Sequence, residues 1–264
     1  MPDAPPYRAF SCSIELARVI LSDCYCPVVE GSRSFINPTK FREARVLELG
    51  SGIGLLGCLF APLVKHYIVT DLPEMLPLIQ KNMDENVTKT DSNPPQTRAH
   101  RSKNRQSLDA QVPSAPNYSI AALDWTDVAT SAPSSTARKL VRTSVLGSPS
   151  EHIDLIIAVD TLYNTSLVSP FLATLEEFAN GPSTKAEGGV RESTAVLVVC
   201  ELRDEDVIRV FLEGWLSLGG WKVWRVGDHA SPDARDTNNV TLGYGIPSEA
   251  FFDGPFVAWL GWKA

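Results

Sequence analysis

Glu48, Gly50, Ser51, Gly52 and Gly54 stand within seven residues, and Gly57 follows three positions on. That spacing offers one carboxylate and a row of backbone N–H groups bared by glycine. Glycine at 50, 52 and 54 lets the chain turn sharply and approach a ligand where a Cβ would collide. The N–H groups of a helix opening behind such a turn face the same ligand. Asp71, with Leu72 beside it, lies about twenty residues beyond the glycines, where an acid can accept both hydroxyls of a ribose. Two further acids sit beside aromatics, Asp124 next to Trp125 and Asp160 three residues before Tyr163.

The apolar pattern supplies elements to position these groups. Residues 45–50 read as a buried strand running into the glycines, and Leu55 to Phe60 as a helix ending near Pro62. A second strand ends at Asp71, with Pro73 in the first turn of a helix that runs to about Asn86 and buries Leu76, Ile79 and Met83. A third strand spans Tyr118 to Trp125. Ile153 to Val159 is a nearly continuous apolar run, as in a central parallel strand covered on both faces. Ala195 to Cys200 makes a fifth strand. Trp221 to Val226 and Phe256 to Trp262 alternate and are expected to pair antiparallel. The pattern predicts one α/β domain over 1–264, with an N-terminal lid and helix segment over 1–44. The polar stretches 88–117 and 126–150 are expected to be disordered surface insertions.

Ligands of open parallel sheets bind at the carboxyl ends of the strands, where strand order reverses. Glu48 and the glycines, Asp71, Asp124 and Asp160 with Tyr163 all fall at that edge. Gly52, Gly54 and Gly57 also satisfy the dinucleotide spacing, so the loop alone does not select a cofactor. A pyrophosphate needs bare N–H groups, whereas an adenosyl sulfonium cation is stabilised by surrounding acids. The acids here, without a second mononucleotide-binding half, favour S-adenosylmethionine.

Val46 to Gly54, Thr70 to Pro73, Asn82 and Asn86, Leu123 to Trp125, and Asp160 to Tyr163 together resemble the seven-β-strand protein-lysine methyltransferases of methyltransferase family 16. The resemblance covers about residues 10–225. It implies a class I S-adenosylmethionine-dependent methyltransferase fold, Rossmann-like, with a seven-stranded, mostly parallel sheet and an antiparallel terminal hairpin. It implies that Glu48, Gly50, Ser51, Gly52 and Gly54 hold the methionine part of the cofactor. Asp71, with Leu72, would bind the ribose, and Asp124 and Trp125 would line the adenine pocket. Asp160 and Tyr163 would be the catalytic pair at the mouth where a substrate lysine arrives. Phe10 stands where the family commonly has a tryptophan. The implied substrate is a protein lysine, on a translation elongation factor or a chaperone. The rivals are a nicotinamide-like small-molecule N-methyltransferase and a catalytically silent adenosyl-binding scaffold.

The bulk properties fit this expectation. A net charge of −7 argues against sequence-independent nucleic-acid binding, and the run Arg98, Arg101, Lys103 and Arg105 reads as a solvated linker. No apolar stretch approaches a membrane span, so no membrane partner is expected. The five cysteines are scattered, without zinc-finger spacing, and no metal site is expected. Cytoplasmic residence, extending to the nucleus, and a monomeric state complete the expectation.

Overall fold

The computed structural model describes residues 11–26, 35–87, 116–180, 193–226 and 256–263. Their strands form one sheet: β1 (Arg45–Leu49), β2 (His66–Asp71), β3 (Tyr118–Ala122), β4 (Leu155–Val159), β5 (Ala195–Glu201), β6 (Trp221–Arg225) and β7 (Phe256–Lys263). The order is β3-β2-β1-β4-β5-β7-β6. β1 to β5 are parallel, and β7 runs antiparallel to both β5 and β6. This is the expected class I methyltransferase architecture. β7 pairs with β6 as the alternation predicts, but it also inserts between β6 and β5.

Alternation along each strand divides the core into two layers. Val46, Tyr67, Leu155 and Leu197 face one layer, with α1 (Ser11–Tyr25), α2 (Pro38–Glu43), α3 (Leu55–Phe60) and α4 (Leu76–Asn86). Leu47, Ile68, Ile156 and Val196 face the other, with α5 (Trp125–Thr130), α6 (Thr136–Leu146), α7 (Thr165–Ala179) and α8 (Glu205–Ser217). Strand order reverses between β1 and β4, so their carboxyl ends diverge into a crevice at that edge. No helix of the described residues is long and apolar enough to cross a membrane.

Three local readings need correction. Helix α4 begins at Leu76, and Pro73 lies in a turn closed by the Met75 N–H donating to the Leu72 carbonyl at 3.0 Å. Pro77 explains this: a helix started at Pro73 would need an N–H from residue 77, which proline lacks. The third strand stops at Ala122, because the Asp124 side chain accepts the Thr126 N–H at 2.8 Å and opens a helix there.

The largest correction concerns residues 126–150, which fold as α5 and α6 instead of a disordered insertion. Arg138 and Arg142, one helical turn apart, are both buried there. Arg142 donates to the carbonyls of Pro149 (3.1 Å), Glu177 (2.7 Å) and Glu151 (2.9 Å), and Arg138 to those of Val128 and Ser131. The two guanidinium groups thus satisfy carbonyls left open where α5 and α7 end. Arg142→Ala is expected to cost about 2 kcal/mol, read by chemical denaturation, because it strands three carbonyls. Residues 88–115 of the other insertion, the basic run within it, and Phe10 lie outside the described residues.

Candidate active site

The glycine loop leaves β1 in a conformation that side chains resist. Gly50, Gly52 and Gly54 have φ of 68°, 59° and 79°. A Cβ on Gly50 would sit 2.8 Å from Thr161 Cγ2. Asn82 Nδ2 donates to the Ile53 carbonyl at 2.9 Å, and Ser51 exchanges hydrogen bonds with the Thr70 backbone. Asp71, ending β2, closes the loop from its other side. Its Oδ2 accepts the Gly52 N–H at 2.7 Å and its Oδ1 the Leu72 N–H at 2.8 Å. An ionised carboxylate has about four acceptor positions, so one remains on each oxygen. That leaves a bidentate acceptor.

Beyond Asp71 opens a cavity of about 290 Å³. Of the residues singled out in the sequence, Gly50, Gly52, Asp71, Leu72, Asp124, Trp125, Asp160 and Tyr163 line it. Glu48, Ser51 and Gly54 do not. Gly54 caps α3, and Glu48 is buried beneath the loop, 4% exposed, accepting the Tyr67 hydroxyl at 3.1 Å. Burial pushes the Glu48 carboxyl up to about 8, offset only in part by the Tyr67 and Ser51 hydroxyls. The folded protein therefore retains a proton that the unfolded chain releases above its ordinary value of 4.5. The stability from this group is full below that value and is lost as pH rises to about 8. Glu48→Gln removes this dependence. Thermal melts should show the wild type losing ground to the variant between pH 5 and pH 8; parallel curves would refute the assignment.

Asp160 follows β4 with φ of 55°, unusual outside glycine, and its N–H donates to the Val199 carbonyl at 2.7 Å. Its carboxylate accepts Arg203 Nη2 at 2.9 Å and the Glu201 N–H at 3.4 Å. Arg203 also binds Glu201 through Nε (2.8 Å) and Nη2 (2.6 Å). Tyr163 is 72% exposed at the mouth. On the opposite wall, Asp124 is committed to capping α5, accepting both the N–H and hydroxyl of Thr126. Trp125 packs edge-on against Phe171 at 5.2 Å between ring centres.

Residues 16–99 match the family model described as lysine methyltransferase. This segment resembles lysine methyltransferases. Ribosomal lysine N-methyltransferase 5 of Kluyveromyces lactis is 31% identical over 178 residues, which are 64% of this chain and 48% of that protein. EEF1A lysine methyltransferase 3 of Xenopus tropicalis is 46% identical over 56 residues, 21% of this chain and 24% of that protein. This chain thus matches about half the length of the ribosomal relative, and less of the other. The magnesium protoporphyrin IX methyltransferase of Synechocystis, solved with S-adenosylmethionine, aligns with a TM-score of 0.46 at 12% identity, covering all of this chain and 87% of that one.

The residues lining the cavity suit S-adenosylmethionine, the cofactor that the resemblance implies. The bare loop takes a close-packed ligand, Asp71 has a free acceptor on each oxygen, and Leu72, Leu123, Trp125 and Leu167 make an apolar slot. Thr161, buried in the wall, leaves its hydroxyl without a hydrogen-bond partner among the described residues. Such a buried orphan suits a ligand. Of the other lining residues, Leu123 and Thr161 lie inside motifs marked in the sequence but without an assigned role, and Thr126 and Leu167 lie outside them. Thr126 and Thr161 each directly follow or nearly follow an acid already marked, so adjacency was the available signal.

Proposed function

We propose that the chain is an S-adenosylmethionine-dependent protein-lysine N-methyltransferase, acting in the cytoplasm on a component of the translation machinery such as an elongation factor. The observation that carries this reading is the open rim. Tyr163, 72% exposed, and Asp160 both line the cavity, so an aromatic and an acidic group share one accessible mouth. A side chain delivered by a macromolecule suits that rim better than a small molecule that must be enclosed. The names of the ribosomal and EEF1A relatives support the substrate class.

On this reading Asp71 holds the ribose, the glycine loop passes along the cofactor's amino-acid part, and Leu123, Trp125 and Leu167 flank the adenine. S-adenosylmethionine supplies an electrophilic methyl: the new nitrogen–carbon bond forms as the carbon–sulfur bond breaks, leaving a neutral thioether. The chain contributes alignment, worth several orders of magnitude for a displacement of this kind. It also handles a proton, since a free lysine has a pKa near 10.4 and its amine must be neutral to react. Tyr163 orients the amine at the mouth, and Asp160 anchors that edge. Tyr163→Phe and Asp160→Ala are each expected to slow methyl transfer about tenfold or more; unchanged turnover in both would refute these roles.

The deciding experiment is labelled-methyl transfer from S-adenosylmethionine into a lysate of the source organism, with wild type and Asp71→Ala, resolved by gel and mass spectrometry. A discrete protein carrying methyl-lysine, absent with the variant, is the expected result. Label confined to small molecules, or cofactor binding without any label, would overturn the proposal.

A further inference from the structure

Asp160 lines the cavity at the proposed amine site, and one guanidinium ties it to a second carboxylate, Glu201. Arg203 reaches Asp160 at 2.9 Å and Glu201 at 2.6 Å through the same nitrogen, Nη2, and holds Glu201 again through Nε. The pairing spans two strands. Asp160 follows β4, whereas Glu201 ends β5 and Arg203 lies in the turn before α8. The Arg203 side chain remains 49% exposed, so it reaches Asp160 from the solvent side and is not enclosed in the core. We propose that Arg203 is a positioning residue that sets the charge of the rim, holding it near −1 so that a lysine ammonium is attracted yet can give up its proton.

The sign follows from Coulomb interactions. Two carboxylates alone would draw a lysine ammonium to the site and stabilise its charged form, raising the pKa that must fall before reaction. A fixed guanidinium adjoining them opposes that charge and favours the neutral amine. Arginine suits the task because it does not deprotonate and its planar fork spans two acceptors. The proton leaves to solvent, freeing the nitrogen lone pair. The groups facing Arg203 from the elements around it are Asp160 after β4, Glu201 of β5 and the Cys12 thiol of α1. Burial, together with the two acids, pushes Cys12 up to about 12, so it stays neutral. Burial raises the Asp160 carboxyl above its ordinary value, and the Arg203 guanidinium opposes that rise.

This inference rests on the lysine-methylating reading above, and its test separates the two. Wild type, Arg203→Gln and Arg203→Lys are first titrated with S-adenosylhomocysteine by calorimetry. They are then assayed for label incorporation into protein of the same lysate across pH 6.5–10. With Arg203→Gln, the midpoint of the pH–rate profile should move alkaline by about one unit, giving about tenfold slower transfer at pH 7. Half-maximal rate should be reached at a higher dilution of lysate, because the ammonium is bound more strongly. Arg203→Lys, which keeps the charge, should restore the midpoint. A uniform loss with an unmoved midpoint would make Arg203 merely structural and overturn the proposal. Wild type that binds S-adenosylhomocysteine but labels no protein would overturn the lysine-methylating reading instead.

Discussion

Asp71→Ala is expected to weaken S-adenosylhomocysteine binding by at least about 100-fold, roughly 2.7 kcal/mol, when measured by calorimetry. Two effects combine. The carboxylate provides the two remaining acceptor positions proposed for the ribose, and hydrogen bonds to a charged group contribute about 1.5–3 kcal/mol each. It also holds the Gly52 and Leu72 N–H groups, so its loss releases the turn that carries the ligand. Asp71→Asn should impair both effects in part. The amide can keep at most one of those backbone N–H bonds, because its nitrogen donates instead of accepting. A variant that binds as tightly as wild type would move the ribose contact elsewhere.

Gly261→Ala should be the most damaging single substitution outside the site. A Cβ there would lie 2.4 Å from Cζ2 and 2.8 Å from Cη2 of Trp215. That ring is fully buried and wedged between Phe211 and Trp221, at 5.3 and 5.5 Å between centres. The strand is equally confined, since Gly261 pairs with Val196 of β5 on one side and Val223 of β6 on the other. Neither can yield alone. The expected loss exceeds about 3 kcal/mol, a melting temperature lower by about 10 °C in a chain of this size. A melting temperature within a degree of wild type would show that the indole has room to move.

Local sequence carried the sheet because each parallel strand is a short apolar run punctuated by glycine, proline or an acid, and all those signals act over a few residues. It carried the cavity largely because acids at strand ends fall together once a parallel sheet forms. What escaped depends on distant partners. Arg138 and Arg142 look like solvated charges among serines and threonines until the carbonyl of Glu177, thirty-five residues away from Arg142, is placed beside them. Nothing near Arg203 in the sequence announces Asp160, forty-three residues earlier, as its partner. The burial of Glu48 was legible, but by a different rule. Its spacing from Gly50 suggested a ligand contact, yet alternation puts it on the same face as Val46, toward the layer containing Tyr67. The period-two rule argued for burial, and it prevailed.

The slot occupied by β7 bears on how the protein is born. Synthesis proceeds from the amino end, so β5 and β6 emerge before their shared neighbour exists. Until residues 256–263 leave the ribosome, β6 has no strand to join, and the backbone of β5 from Ala195 to Glu201 lies open along its outer edge. An unpaired apolar edge is a template for association with other chains. The nascent polypeptide can build the ligand-holding half of its sheet early, but it must be shielded while the other half waits for its keystone. A ribosome stalled just short of residue 256 would release an aggregation-prone intermediate with the edge of β5 still open.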